Sequence, residues 1–113
     1  MAGYPNKDGG YQAWITDLQL MSTYAPSGHK IIVECLETAE MLIKKNISYG
    51  NSALDPIRIF SKAESREQIR VRIDDKLNRI QNDQAFPGDN DIDDLIGYLI
   101  LLKIANKLAI SVN

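Results

Sequence analysis

The stretch "DIDDLIGYLILLKIANKLAI", residues 91–110, decides the fold. From Ile92 to about Ala109 it predicts a helix that is apolar nearly all round, which in a soluble protein is the central helix of a bundle. Lys103 and Lys107 interrupt it, and the apolar run is shorter than the roughly 20 residues a membrane span needs. Gly97 leaves room for a neighbour to approach closely. At about 100° per residue, Asp91, Asp94, Tyr98, Leu101, Leu102 and Ala105 share one side, so two carboxylates continue a column that is otherwise largely apolar. Aspartates in a first turn also complement the helix dipole and cap free N–H groups, which accounts for Asp89 and Asp93 without further function. For Asp91 and Asp94, both readings stay open.

Working back along the chain, three more helices are expected. Tyr11, Trp14, Ile15, Leu18 and Met21 recur at helical period from about Tyr11 to Met21, after an N-terminal arm over residues 1–10, until Pro26 and Gly28 end the helix. A second helix runs from near Ser27 to about Asn46, with Ile31, Ile32, Cys35, Ala39, Leu42 and Ile43 on one arc and Cys35 read as a buried, inert thiol. His29 at its entrance reads as a surface residue. A third, "SREQIRVRIDDKLNRIQN", is announced by two overlapping capping boxes, Ser61 with Glu64 and Ser65 with Gln68. Its apolar stripe is Ile69, Ile73, Leu77 and Ile80. Arg70, Arg72, Asp74, Asp75, Lys76 and Arg79 fill the other faces, either as a salt-bridged solvent surface or as cations for phosphates. "QNDQAFPGDND" then turns the chain, with Asn90 or a neighbouring Asp as the next cap.

The expected fold class is therefore all-α: four main helices in one domain, residues 1–113, with a long loop over residues 47–61 between the second and third. Composition agrees with an ordinary globular chain. The 113 residues carry a formal charge of −2 and a pI near 5.3, so there is no overall field to recruit nucleic acid or an anionic membrane. A small anionic ligand fits better. The single Cys35 permits no internal disulfide, and "MAGYPNKDGGYQAW" lacks the basic and apolar regions of a signal peptide, so a cytoplasmic protein is expected.

Chemistry concentrates in two places. On the second helix Glu34 and Glu37 lie about 60° apart, beside Thr38, Met41 and Lys45. This is a solvated face or half of a metal site. With Asp91 and Asp94 they supply four carboxylates from two helices, a donor set suited to Mg²⁺ and substrate phosphates. Such a metal polarises a phosphoryl oxygen and activates water, while Lys and Arg neutralise developing charge. The second place is the loop "KKNISYGNSALDPIRIFSK", residues 44–62. Tyr49 offers a ring for a base to stack on, Gly50 close backbone approach, and Asn46, Asn51 and Ser52 groups for base or sugar edges. Lys45, Arg58 and Lys62 supply cations for phosphates. The plainer account makes the loop a plug, with Tyr49, Leu54, Ile57 and Phe60 as core and the polar groups satisfying their own backbone.

The paired acids resemble the signature of the MazG-like all-α nucleoside triphosphate pyrophosphatases, an ExxE helix followed by an ExxD helix, with Asp91 here where Glu is usual and a long spacer between the pairs. A second resemblance covers the middle and C-terminal two thirds. "LIKKNISYGNSALDPIRIFSKA", "VRIDDKLNRI" and "DDLIGYLILLKIA" resemble the phage and bacterial proteins grouped as a nucleotide modification associated domain, itself considered MazG-like. That family's pattern Lys-Asn-x-Asp-Tyr-Gly-Asn/Asp-Ser is met by Lys45, Asn46, Tyr49, Gly50, Asn51 and Ser52, with Ser48 in place of the Asp. The resemblance implies nucleotide metabolism in a phage or prophage setting. The expected activity is Mg²⁺-dependent hydrolysis of a nucleoside triphosphate between its α and β phosphates, with Glu34, Glu37, Asp91 and Asp94 as ligands. The alternative is a protein that binds and sequesters a nucleotide without turnover. A homo-oligomer is expected in either case, because the fourth helix is apolar on more faces than the other three can cover.

Overall fold

The computed structural model describes residues 10–56, 62–82 and 90–112, and among these the chain is all-helical, with no strand. Helix α1 spans Gly10–Ser22, α2 Gly28–Tyr49, α3 Ser65–Gln81 and α4 Asp91–Val112. The chain divides into two compact units, Met1–Glu40 and Met41–Asn113.

In the first unit, α1 ends in a tight turn. Thr23 and Tyr24 donate backbone N–H groups to the carbonyls of Leu20 and Met21 at 3.1 and 3.0 Å. The hydroxyls of Ser22 and Thr23 bond back to the carbonyls of Gln19 and Leu20 at 2.6 and 2.7 Å, which satisfies acceptors the helix end would leave free. Gly28 opens α2 because nothing larger fits: a Cβ there would lie 2.7 Å from the Cα of Ser22. His29 is exposed, as expected. Cys35 is exposed too, contrary to the expectation of a buried thiol. Of the arc expected on α2, Ile32 and Leu42 are half-buried while Ile31, Ala39 and Ile43 are exposed with Cys35, and Val33 and Met41 from outside that arc are half-buried too.

In the second unit, α3 and α4 pack against each other and run antiparallel, so that Ile69 and Ile73 of α3 are buried with Ala105 of α4. Leu54, Leu95, Tyr98, Leu101 and Leu102 pack around them. Four of the six residues placed in one column of α4 are thus at this core, and Asp91, at 8% exposure, is buried with them. Met41 and Leu42 press on α4 at Gly97, where an added Cβ would stand 3.0 Å from Leu42 Cδ2 and 3.3 Å from Met41 Cε. That close approach is the one the glycine was expected to allow.

Two boundaries differ from expectation. Helix α2 does not stop at Asn46 but continues through Ile47, Ser48 and Tyr49. It closes in a Schellman arrangement, with Gly50 left-handed at φ 62° and the Asn51 N–H donating to the Asn46 carbonyl at 3.2 Å. Asn46 is thus a residue of the last turn. Helix α3 begins at Ser65 with Glu64 as its N-cap and no side-chain capping bond. Instead of closing a box, Gln68 Nε2 donates to the Ala63 carbonyl at 2.7 Å, and Arg66 grips the Glu64 carboxylate through Nε and Nη2 at 2.9 and 3.1 Å. Ser61, with Ile57, Arg58 and Phe60, lies outside the described residues. At α4 the expectation holds: Asn90 caps the helix, its side-chain oxygen accepting the Asp93 N–H at 3.1 Å.

Candidate functional site

A pocket of about 430 Å³ opens in the second unit, where the end of α2, the turn after it, α3 and α4 meet. The end of α2 and its turn supply Lys45, Asn46, Tyr49, Asn51 and Ser52, five of the residues singled out for nucleotide contacts. From α3 come Gln68 and Arg72, and from α4 come Asp94, Gly97 and Tyr98. Met41, Leu42, Ile69 and Leu101 make its apolar wall.

The turn that presents these groups is built by the motif itself. Gly50 and Asn51 are both left-handed, at φ 62° and 65°. Such a conformation suits glycine and is tolerated by asparagine, whose side chain can bond locally. Asn46 Nδ2 donates to Asn51 Oδ1 at 2.9 Å, and the Asn51 carbonyl accepts N–H groups from Leu54 and Asp55 at 3.1 and 3.0 Å. Asn46, Gly50 and Asn51 thus serve the backbone first. Among the described residues no atom lies within 4 Å of where a Gly50 Cβ would stand, so within the chain it is the left-handed φ that calls for glycine. Tyr49, by contrast, is 68% exposed, which removes it from the core of a plug and leaves its ring free to stack. Leu54 does pack inward, as the plug account required. Lys62 is exposed and does not line the pocket, and Arg58 lies outside the described residues.

The two acid pairs have different surroundings. Asp94 faces the pocket, where Lys45 Nζ reaches its Oδ1 at 3.4 Å. Its Oδ2 is held by Lys76 Nζ at 3.1 Å, and the same ammonium reaches Asp91 Oδ1 at 3.4 Å. Arg79 Nε stands 3.7 Å from the same Asp91 oxygen. Lys76 is only 12% exposed. Burial by itself lowers the pKa of its ammonium, but hydrogen bonding and attraction to Asp94, with a further bond to Asp91, outweigh that and leave it above its ordinary value. At Asp94, burial by itself raises the carboxyl, yet the bond to Lys76 and the charges of Lys45 and Lys76 bring it below the usual carboxylate range. Glu34 and Glu37 are exposed on α2 within the first unit.

Lys76, expected either on a salt-bridged solvent surface or as a cation for phosphates, is largely buried and pairs with Asp91 and Asp94 instead. Its position carried a signal: it lies three residues after Ile73 and seven after Ile69, within the buried stripe, whereas the stripe member chosen there, Leu77, is exposed. Arg72, expected either on that salt-bridged surface or as a cation for phosphates, lines the pocket. Arg70 pairs with Glu67, Nη1 to Oε1 at 2.6 Å.

A divalent cation at Asp91 and Asp94 would need several oxygen donors around one point. Among the described residues no three His, Cys, Asp or Glu side chains gather in this way, and the ammonium of Lys76 already lies between the two carboxylates. The residues present do not fit a metal there while Lys76 holds its place. Comparison of the chain with protein-family models, with curated proteins and with solved structures finds no match. Among the described residues no helix is long and apolar enough to cross a membrane.

Proposed function

We propose that this protein binds a nucleotide in the pocket between α2, α3 and α4, without hydrolysing it. The observation that carries the reading is the convergence in one cavity of an exposed tyrosine, two cations from different helices and a set of amides and hydroxyls on an apolar wall. Its volume is within the roughly 300–1,000 Å³ usual for small-molecule sites. A base stacks on Tyr49, with Met41 and Leu42 beside it. Lys45 and Arg72 take the phosphates, Arg72 as a planar fork and Lys45 as a point charge. Lys45 is free to turn toward an anion at small cost, because Asp94 keeps Lys76 when it leaves. The resemblance of the Lys45–Ser52 segment to nucleotide-associated proteins points the same way, to a phage-type protein that captures a nucleotide.

Hydrolysis by Mg²⁺ held on Glu34, Glu37, Asp91 and Asp94 is the competing account, and it is less well supported because Asp91 and Asp94 are already neutralised by a lysine. Equilibrium dialysis of the full chain against nucleoside mono-, di- and triphosphates, with and without Mg²⁺, separates the two. Expected are binding in both conditions, no pyrophosphate release, and at least about tenfold weaker binding by Tyr49→Ala, the usual scale of one lost base stack. Pyrophosphate release would overturn sequestration, and no binding by any member of the panel would overturn the site.

The reading extends to a second copy of the chain. On α4 the face opposite the pocket carries Ile92, Ile96, Leu99 and Ile110, all exposed, interrupted by Lys103 and Lys107. A symmetry mate offering the same stripe covers it with a matching apolar surface. Sedimentation at micromolar concentration is expected to give a dimer or larger; a stable single-chain mass would refute it.

A further inference from the structure

We infer that the ammonium of Lys76 takes the place of a divalent cation between Asp91 and Asp94, so that the charge balance of the site is internal to the chain and independent of metal. This arrangement is independent of which ligand the pocket takes. Two carboxylates one helical turn apart, one of them buried and the other half-buried, repel each other unless a cation lies between them. In this fold the antiparallel approach of α3 brings Lys76 to that point, 3.1 Å from Asp94 and 3.4 Å from Asp91, with Arg79 as a further cation beside Asp91. A lysine is suited to the task, being a compact charge with three donors on a stem that reaches between helices. Asp94 then serves as a positioning residue. It holds Lys76 on Oδ2 and leaves Oδ1 to a long, exposed bridge from Lys45, so the counter-charge of the buried pair comes from Lys76.

The test uses the metal alone. Mn²⁺ binding to the full wild-type chain is followed by water-proton relaxation, beside Asp94→Asn and Lys76→Met. Expected for the wild type is no saturable binding that Asp94→Asn abolishes. In Lys76→Met the vacated carboxylates should take Mn²⁺ at least tenfold more tightly than the wild type, a gain that Asp94→Asn added to the same chain removes. Asp94-dependent Mn²⁺ binding by the wild type would overturn the inference, and it can be read whether or not Lys76→Met folds. A folded Lys76→Met chain that gains no Mn²⁺ affinity would overturn it as well. Because no nucleotide is present, failure here leaves the ligand reading to its own experiment.

Discussion

Two pairs of acids, each three residues apart on a helix, look alike in the sequence and differ in the fold. Glu34 and Glu37 are exposed on α2. Asp91 and Asp94 are drawn into the seam between α3 and α4 and held by Lys76, with Arg79 and Lys45 at the margins. Spacing puts two carboxylates on one face in either case. What they do is set by the helix packed against that face, because burial makes a counter-charge necessary where water would otherwise serve.

The sharpest way to break this comparison is to remove the counter-charge. Lys76→Met keeps the stem and deletes the ammonium, leaving Asp91 and Asp94 to face each other. Removing one partner of a buried pair typically costs about 3–5 kcal/mol. Here the lower end is expected, near 3 kcal/mol, because Arg79 and Lys45 still attend one carboxylate each. Urea unfolding followed by circular dichroism measures it. A loss below about 1 kcal/mol would place Lys76 among ordinary surface ion pairs and erase the distinction between the two acid pairs.

A change of pH probes the same contrast more gently. Asp94 has a lowered pKa in the fold, so its contribution to stability is full above the ordinary carboxyl value of 3.8 and is lost as pH falls toward the folded value. Lys76 has a raised one, so its contribution is full below 10.5 and is lost as pH rises through the folded value. The stability gap between the wild type and Lys76→Met should therefore be widest between these limits and narrow at both ends. A gap that stays constant from acid to alkali would mean that Lys76 acts by packing its stem and not by charge.

How much of this was legible in the sequence follows from where each residue finds its partner. Helix α4 was readable because nearly every face is apolar, and its column from Asp91 to Ala105 needed only the helical period. The cap at Asn90 is equally local. Helix α2 was harder: of its expected arc Ile32 and Leu42 are half-buried but Ile31, Cys35 and Ile43 are not, and Met41 joins Leu42 because Gly97, a residue on another helix, admits both. The turn after Tyr49 was open to two readings, ligand chemistry or groups satisfying their own backbone, and both find support: left-handed Gly50 and Asn51 need local bonds, which Asn46 and Asn51 supply while lining the pocket. The burial of Lys76 was not legible because a lysine in an apolar stripe has no visible reason to be buried until the acids of α4 opposite it are known.

At the pocket lip the comparison can be sharpened through Lys45, which joins the buried acid pair to solvent. It is 49% exposed, and its bridge to Asp94 at 3.4 Å is of the kind that contributes about 0–1 kcal/mol. Lys45→Ala should therefore leave stability nearly unchanged while weakening nucleotide binding by roughly tenfold, the scale of one charge-assisted hydrogen bond. Equal losses of stability and of binding would assign Lys45 to the scaffold with Lys76.

The smallest effect is expected at the other acid pair. Glu34 and Glu37 are exposed on α2, and surface substitutions away from caps, cores and buried pairs usually change stability by no more than about 0.5 kcal/mol. Their neighbour Thr38 turns its hydroxyl back onto the Glu34 carbonyl at 3.0 Å, a bond to the backbone that leaves the carboxylate uninvolved. Glu34→Gln and Glu37→Gln together should therefore unfold at the wild-type urea midpoint. They should also bind the same nucleotide with unchanged affinity, with and without Mg²⁺. A hydrolytic metal site would respond differently: the double variant would lose an Mg²⁺-dependent increment of binding or turnover that the wild type possesses, while keeping its stability. Dialysis of both chains against one triphosphate, with Mg²⁺ and with a chelator, reads that increment directly, and its presence in the wild type alone would make the two acid pairs partners in one site after all.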